Sequence, residues 1–244
     1  ELWEILRKYG KPVAVISHTG ATGMGTDWKK YESFDYSSEN IVEIYQGARV
    51  SYEGAGAPQP TVGLRPGQPY MINGDGKATP PDPVMDFGKY SNGTYQTALS
   101  VGHNLGVFAS SDHISQHASY GGVYCKEFTR EGIIEAMDNR RTIAATDKIY
   151  LNFTCNDKPL GSIIETKTNA KLWLKVDGTA PFRRITIVRN EKDWKNFGVF
   201  TGTTFEESLT DEDMLDGENR YYVRVLQRDG NMAWSSPVWV KKSP

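Results

Sequence analysis

Apolar and polar residues follow two rhythms along this chain, and they change over near residue 147. Before that point the apolar residues come as helical faces and unbroken runs. Leu2, Ile5, Leu6 and Tyr9 recur at helical spacing, with Gly10 placed to close the helix and Pro12 to stop its continuation. Residues 13–16 and 105–109 are continuous apolar runs, the signature of strands covered on both faces. Residues 41–45 predict another strand, with Glu43 set among apolar neighbours. Tyr95, Ala98, Leu99 and Val101 predict a helix over about residues 93–104. Residues 122–125 read as a short strand. Thr129 is placed to cap a helix whose apolar face is Ile133, Ile134 and Met137. Strand, loop, helix and strand in turn predict an α/β layout over residues 1–147.

Beyond residue 147 the pattern shortens and alternates. Residues 149–153, 162–167, 171–176, 184–189, 198–201, 221–227 and 233–240 read as strands. Turn pairs such as Asn156-Asp157, Asp177-Gly178 and Asp229-Gly230 separate them. Roughly seven short strands in about 95 residues predict an antiparallel β-sandwich of immunoglobulin or fibronectin type over residues 148–244.

Composition narrows the classes. The 244 residues are 38% hydrophobic and 24% charged, enough for one or two globular domains. A net charge of −2 without a long basic run gives no sign of a nucleic-acid partner. No apolar stretch approaches membrane-spanning length. The chain opens without methionine or signal peptide, so the expectation is a fragment or a processed chain. Both a cytoplasmic and a periplasmic or extracellular location stay open. Cys125 and Cys155 do not have metal-ligand spacing, and Cys125 reads as a buried thiol.

Candidate chemistry gathers where predicted strands end. The run at 105–109 leads into Ser110, Ser111, Asp112 and His113, with His117 four residues on. The run at 13–16 leads into His18. Carboxylate and imidazole at the carboxyl ends of strands suit a divalent metal. The plainer reading is a turn capped by Asp112 with ordinary surface histidines. A carboxylate at Glu43 needs a partner, since burying an unpaired charge is costly, unless it faces solvent on a one-sided strand. Arg49, Tyr52 and Glu53 come soon after and could face the same cleft; Arg49 is a candidate anion binder, though a solvated arginine is commoner.

Assembled, these residues resemble a bacterial branch of the PHP (polymerase and histidinol phosphatase) superfamily of metal-dependent hydrolases. The resemblance rests on Ile16-Ser17-His18-Thr19, Met24-Gly25-Thr26-Asp27-Trp28, Val42-Glu43-Ile44-Tyr45-Gln46-Gly47, Ala109-Ser110-Ser111-Asp112-His113, the stretch 129–147, and Met232-Ala233-Trp234-Ser235-Ser236-Pro237-Val238-Trp239. It implies the carboxyl-terminal part of a distorted TIM-like barrel, ahead of the β-sandwich. It implies a metal set of His18, Asp112, His113 and Glu43 holding zinc, manganese or iron. It also implies a phosphoester substrate attacked by metal-activated water, with His117 or Tyr120 as proton donor and Tyr120 and Arg49 near the substrate. The sequence departs from the family in two ways: no His-x-His occurs, and Ile114 stands two residues after Asp112. The expectation is therefore an incomplete site needing a missing amino-terminal segment or a homo-oligomeric partner. Two other readings stand beside it. One is an amidohydrolase. The other is a non-catalytic binding or scaffold protein for carbohydrate or a protein partner, with Trp194, Trp234 and Trp239 as stacking candidates.

Overall fold

A computed structural model of the chain describes residues 2–10, 13–18, 26–30, 39–46, 51–54, 71–72, 78–79, 91–111, 119–198 and 200–243. In chain order its first elements are α1 (Leu2–Lys8), β1 (Ile16–Ser17), β2 (Ile41–Gln46), β3 (Met71–Ile72) and β4 (Ala78–Thr79). Next come α2 (Tyr95–Ser100), β5 (Gly106–Ser110), β6 (Tyr120–Val123), α3 (Arg130–Asp138) and β7 (Thr142–Ala145). After these are β8 (Tyr150–Cys155), β9 (Lys158–Pro159), β10 (Ile163–Thr166), β11 (Lys171–Asp177) and β12 (Phe182–Arg189). The last are β13 (Lys192–Phe197), β14 (Thr204–Thr210), β15 (Gly217–Gln227), β16 (Met232–Ser235) and β17 (Val238–Lys242).

The long strand β15 is the axis of the fold. One edge pairs with β12; the other pairs first with β17 and then with β16. β16 continues through β7 to β6, so an eight-stranded sheet includes residues from both sides of position 147. Side chains alternate across it. Tyr221, Val223 and Val225 enter one core, while Tyr222 lies in another. Ile187 and Val188, Ala233 and Trp234, and Val238 and Trp239 divide in the same way.

Each face has its own cover. The four-stranded sheet β14-β11-β8-β9 supplies Leu151, Phe153, Cys155, Leu172, Leu174 and Val176 to the first core. The parallel sheet β1-β2-β5, with α2, supplies Val42, Ile44, Tyr45, Tyr95, Leu99 and Val107 to the second. The result is three layers of sheet with the eight-stranded sheet in the middle.

Two glycines set the close approaches between parts. A Cβ at Gly121 of β6 would overlap the Phe108 ring of β5. Gly161, at φ +86, lies against the backbone of Asn139 and Arg140, just past α3, leaving no room for a side chain.

This architecture corrects the α/β expectation. The described residues are 47% strand and 12% helix, and no half of a PHP-type, TIM-like barrel is present among them. The PHP resemblance falls with it, and so does the hydrolase class taken from it. The physical cause is two-face burial. The runs at β2 and β7 are buried at every position, as they would be under barrel helices. Here, for the strands of the central sheet, the covering layers are largely other sheets.

Local predictions fared better. Thr129 caps α3, its hydroxyl accepting from the Gly132 N–H at 3.0 Å. The helix expected over about residues 93–104 is present as Tyr95–Ser100, and Thr94, not singled out from the sequence, caps it by accepting from the Thr97 N–H. Asn156 and Asp157 both adopt positive φ in the turn between β8 and β9. No helix among the described residues is long and apolar enough to cross a membrane.

Candidate functional site

Parallel pairing brings the carboxyl ends of β1, β2 and β5 to one edge, as the candidate chemistry requires. Glu43 is 4% exposed. Its Oε2 lies 2.8 Å from Nδ1 of His18, and its Oε1 accepts a hydrogen bond from the Ser110 hydroxyl. The sequence argument that a carboxylate here needs partners is met by these two groups. The His18 side chain is 62% exposed. With Nδ1–H donating to the carboxylate, the imidazole is fixed in one tautomer and Nε2 is its second nitrogen.

The other predicted site residues are distributed differently. Asp112, His113, His117 and Arg49 lie outside the described residues. Tyr120 opens β6, half-buried and paired with Ala145 across the central sheet. Among the described residues, no group of three or more His, Cys, Asp or Glu side chains could hold a metal ion. His18 and Glu43 supply two donors, short of the three protein ligands of a catalytic zinc site.

Glu53 does not join Glu43. Fully buried, it points onto the central sheet, where the Tyr222 hydroxyl donates to it at 2.7 Å and Trp234 Nε1 at 2.8 Å. Arg224 Nε completes the set at 3.2 Å and turns its other nitrogens to Asp193. A second buried carboxylate, Asp211, accepts from Arg189 at 2.7 and 2.8 Å and from the Tyr221 hydroxyl at 2.7 Å. Burial, and secondarily the neighbouring carboxylates, holds the Tyr221 and Tyr222 phenols well above the ordinary tyrosine range, so both stay protonated donors. Burial likewise pushes the Cys155 thiol up to about 12, leaving it inert at neutral pH. Cys155 is the buried cysteine; Cys125, expected to be buried, is half-exposed.

The tryptophans sort by the same alternation. Trp234 and Trp239 belong to the core between the parallel and central sheets, and neither offers a stacking surface. Trp194 is half-buried, with the Arg189 guanidinium and the Lys195 ammonium each 5.1 Å from its ring. Trp173, absent from the sequence-based candidates, lies on the outer face of β11. Leu172, Leu174 and Val176 point inward, so Trp173 and Lys175 point out. The L-W-L-K-V alternation was the signal that could have found it. Its indole N–H donates to Glu206 at 3.0 Å, and Lys175 approaches the same carboxylate at 3.9 Å. An open groove of about 320 Å³ runs beside it, bordered by Thr154, Asp157, Lys171, Ser208 and Thr210.

Comparison with known proteins adds relatives without assigning an activity. No family model matches the chain. It is 28% identical over 249 residues to an uncharacterized protein of Chlamydia trachomatis and 26% identical over 249 residues to one of Chlamydia muridarum. Each match covers 93% of this chain, which spans 38% of the length of these relatives. Among solved structures, fibronectin(III)-like modules of Clostridium thermocellum CbhA give a TM-score of 0.28 at 16% identity, covering 38% of this chain and 98% of theirs. The CARDB domain of a Pyrococcus furiosus protein gives 0.28 at 14% identity, covering 39% and 95%.

Proposed function

We propose that this chain is a non-catalytic binding or scaffold module within a longer protein. The observation that carries this reading is the outer face of the sheet β14-β11-β8-β9. There Trp173 borders an open groove, and the polar side chains that rim the groove have no hydrogen-bonding partner among the described residues. The buried charges have a different role. Glu53, Arg224, Asp211 and Arg189 are consumed in internal contacts. A carboxylate ringed by a guanidinium, a phenol and an indole has little acceptor capacity left for a substrate.

The test assays the intact protein for hydrolysis of p-nitrophenyl phosphate with added manganese or zinc. We expect no turnover that depends on Glu43. Turnover reduced a hundredfold or more by Glu43→Gln, with the fold retained, would overturn the binding-module reading.

A further inference from the structure

We propose that the groove beside Trp173 is a binding site for a neutral glycan, with the indole as its stacking floor. The inference rests on the binding-module reading and names the ligand class and the site.

The sheet register builds the platform. Across the face, Trp173 is paired with Thr154 of β8 on one side and Ser208 of β14 on the other. Both neighbours are short, so neither can cover the indole. The bond to Glu206 ties one edge of the ring across β14 and fixes its rotation before any ligand arrives. An aromatic face fixed in this way suits the C–H bonds of a pyranose ring, whose slight positive charge meets the negative face of the π-system.

The rim supplies what a sugar's hydroxyls need. Asp157 offers acceptors, Lys171 offers donors, and the hydroxyls of Thr154, Ser208 and Thr210 can do either. Asp157 is held in its turn by a left-handed backbone at φ 61, while Lys171 opens the adjacent strand β11. A volume of about 320 Å³ falls at the lower end of small-ligand sites, roughly 300–1,000 Å³. That suits a short stretch of oligosaccharide lying along an open face.

Charge decides between ligand classes. Asp157 and Lys171 cancel at the rim, as Glu206 and Lys175 do beside the indole. A polyanion such as nucleic acid or an acidic glycan would find no net attraction here, and neither would a basic peptide. Trp173 is the one aromatic ring of the lining, beside Leu172 and Leu209, and the five polar residues around it supply more hydrogen-bonding groups than the apolar centre of a protein–protein interface does.

The experiment measures binding of the intact protein to immobilised neutral oligosaccharides, spanning β-glucan, xylan, chitin and α-glucan fragments. The variants Trp173→Ala, Trp173→Phe and Trp194→Ala are run in parallel. We expect at least one neutral glycan to be retained, with millimolar or tighter affinity. Affinity should fall tenfold or more in Trp173→Ala, less in Trp173→Phe, and under twofold in Trp194→Ala. Binding should change less than twofold between 50 and 500 mM salt, and unchanged circular dichroism shows that each variant folds.

Several outcomes overturn the site. These are no retention on any neutral glycan, equal retention by Trp173→Ala, and a steep salt dependence. So is self-association of the protein that Trp173→Ala abolishes, which would make this face an interface between copies. Each leaves the broader binding-module reading standing, because that reading falls only to the Glu43-dependent turnover described above.

Discussion

Glu39 shows how burial of one residue sets a pH response. It lies just ahead of β2, 8% exposed, and burial raises its carboxyl from 4.5 to about 7. The folded protein therefore binds a proton there more tightly than the unfolded chain does. Ionised Glu39 opposes folding fully above pH 7, partly between 7 and 4.5, and not at all below. Replacing it with the neutral isostere removes that opposition. Glu39→Gln is expected to gain roughly 3 kcal/mol at pH 8.5 and almost nothing at pH 4.5. Urea denaturation of both proteins at the two pH values checks this; an equal difference at both would contradict it. The need of Glu43 for a partner was legible in its neighbours, but the identity of the partners was not. Ser110 and His18 are 67 and 25 residues away in the chain.

At the scale of elements, buried polar contacts fasten segments that share no hydrogen-bond ladder. Residues 51–54 form no strand, yet Glu53 anchors them to β15 and β16 through Tyr222, Arg224 and Trp234. Backbone bonds reinforce the join: Tyr52 N–H donates to Ile44 at 2.7 Å, and Tyr95 N–H to Tyr52 at 2.9 Å. Removing one member leaves its partner charged and buried. Glu53→Gln should cost about 3 kcal/mol, because Arg224 retains only Asp193 as a charged partner. Glu53→Gln combined with Arg224→Met should cost less than the two single losses added, by about 1–3 kcal/mol. A double-mutant cycle in guanidinium chloride measures this coupling; strict additivity would show that the pair does not act as a unit. Secondary structure in this region was readable in part. Capping at Thr94 and Thr129 depends on residues three positions apart, and so do the helices they start. The strands β13 and β14 went unpredicted. β13 is charged and half-exposed at a sheet edge, so no apolar alternation marks it.

For the whole molecule, stability depends on having three layers. The segment 148–244 contains most of the core between the two sheets, to which Ile143 and Ala145 also belong, and its central sheet has a second apolar face. Val188, Tyr222, Met232, Trp234 and Trp239 on that face are covered by residues from the first half of the chain. β16 also loses its ladder to β7 when the chain is cut at 147. A fragment of residues 148–244 should therefore self-associate and unfold at lower urea than the intact chain, for want of cover on an apolar face and an edge strand. Size-exclusion chromatography and urea midpoints test this. A monomeric fragment with an unchanged midpoint would mean that the parallel layer adds nothing to stability.

Sequence alone determined the features that depend on near neighbours. These include the helices, the cap at Thr129, the turn at Asn156-Asp157, the inward places of most apolar residues and most of the short strands beyond residue 147, though not the one expected at 198–201, where no strand forms among the described residues. It also marked residues 41–45 and 105–109 as strands, which are largely buried, but it could not say what buries them; the run at 13–16, expected to be covered on both faces, is a strand only at Ile16–Ser17, with Ile16 36% exposed. Thr142–Ala145, which the sequence did not mark as a strand, is buried at every position, and a buried run has the same apolar pattern under a helix as between two sheets. That choice depends on segments tens of residues apart, and only the tertiary structure made it: sheet on sheet on sheet in place of a barrel. The same long-range register turned Glu53 inward, buried Trp234 and Trp239, and set Trp173 beside an open groove.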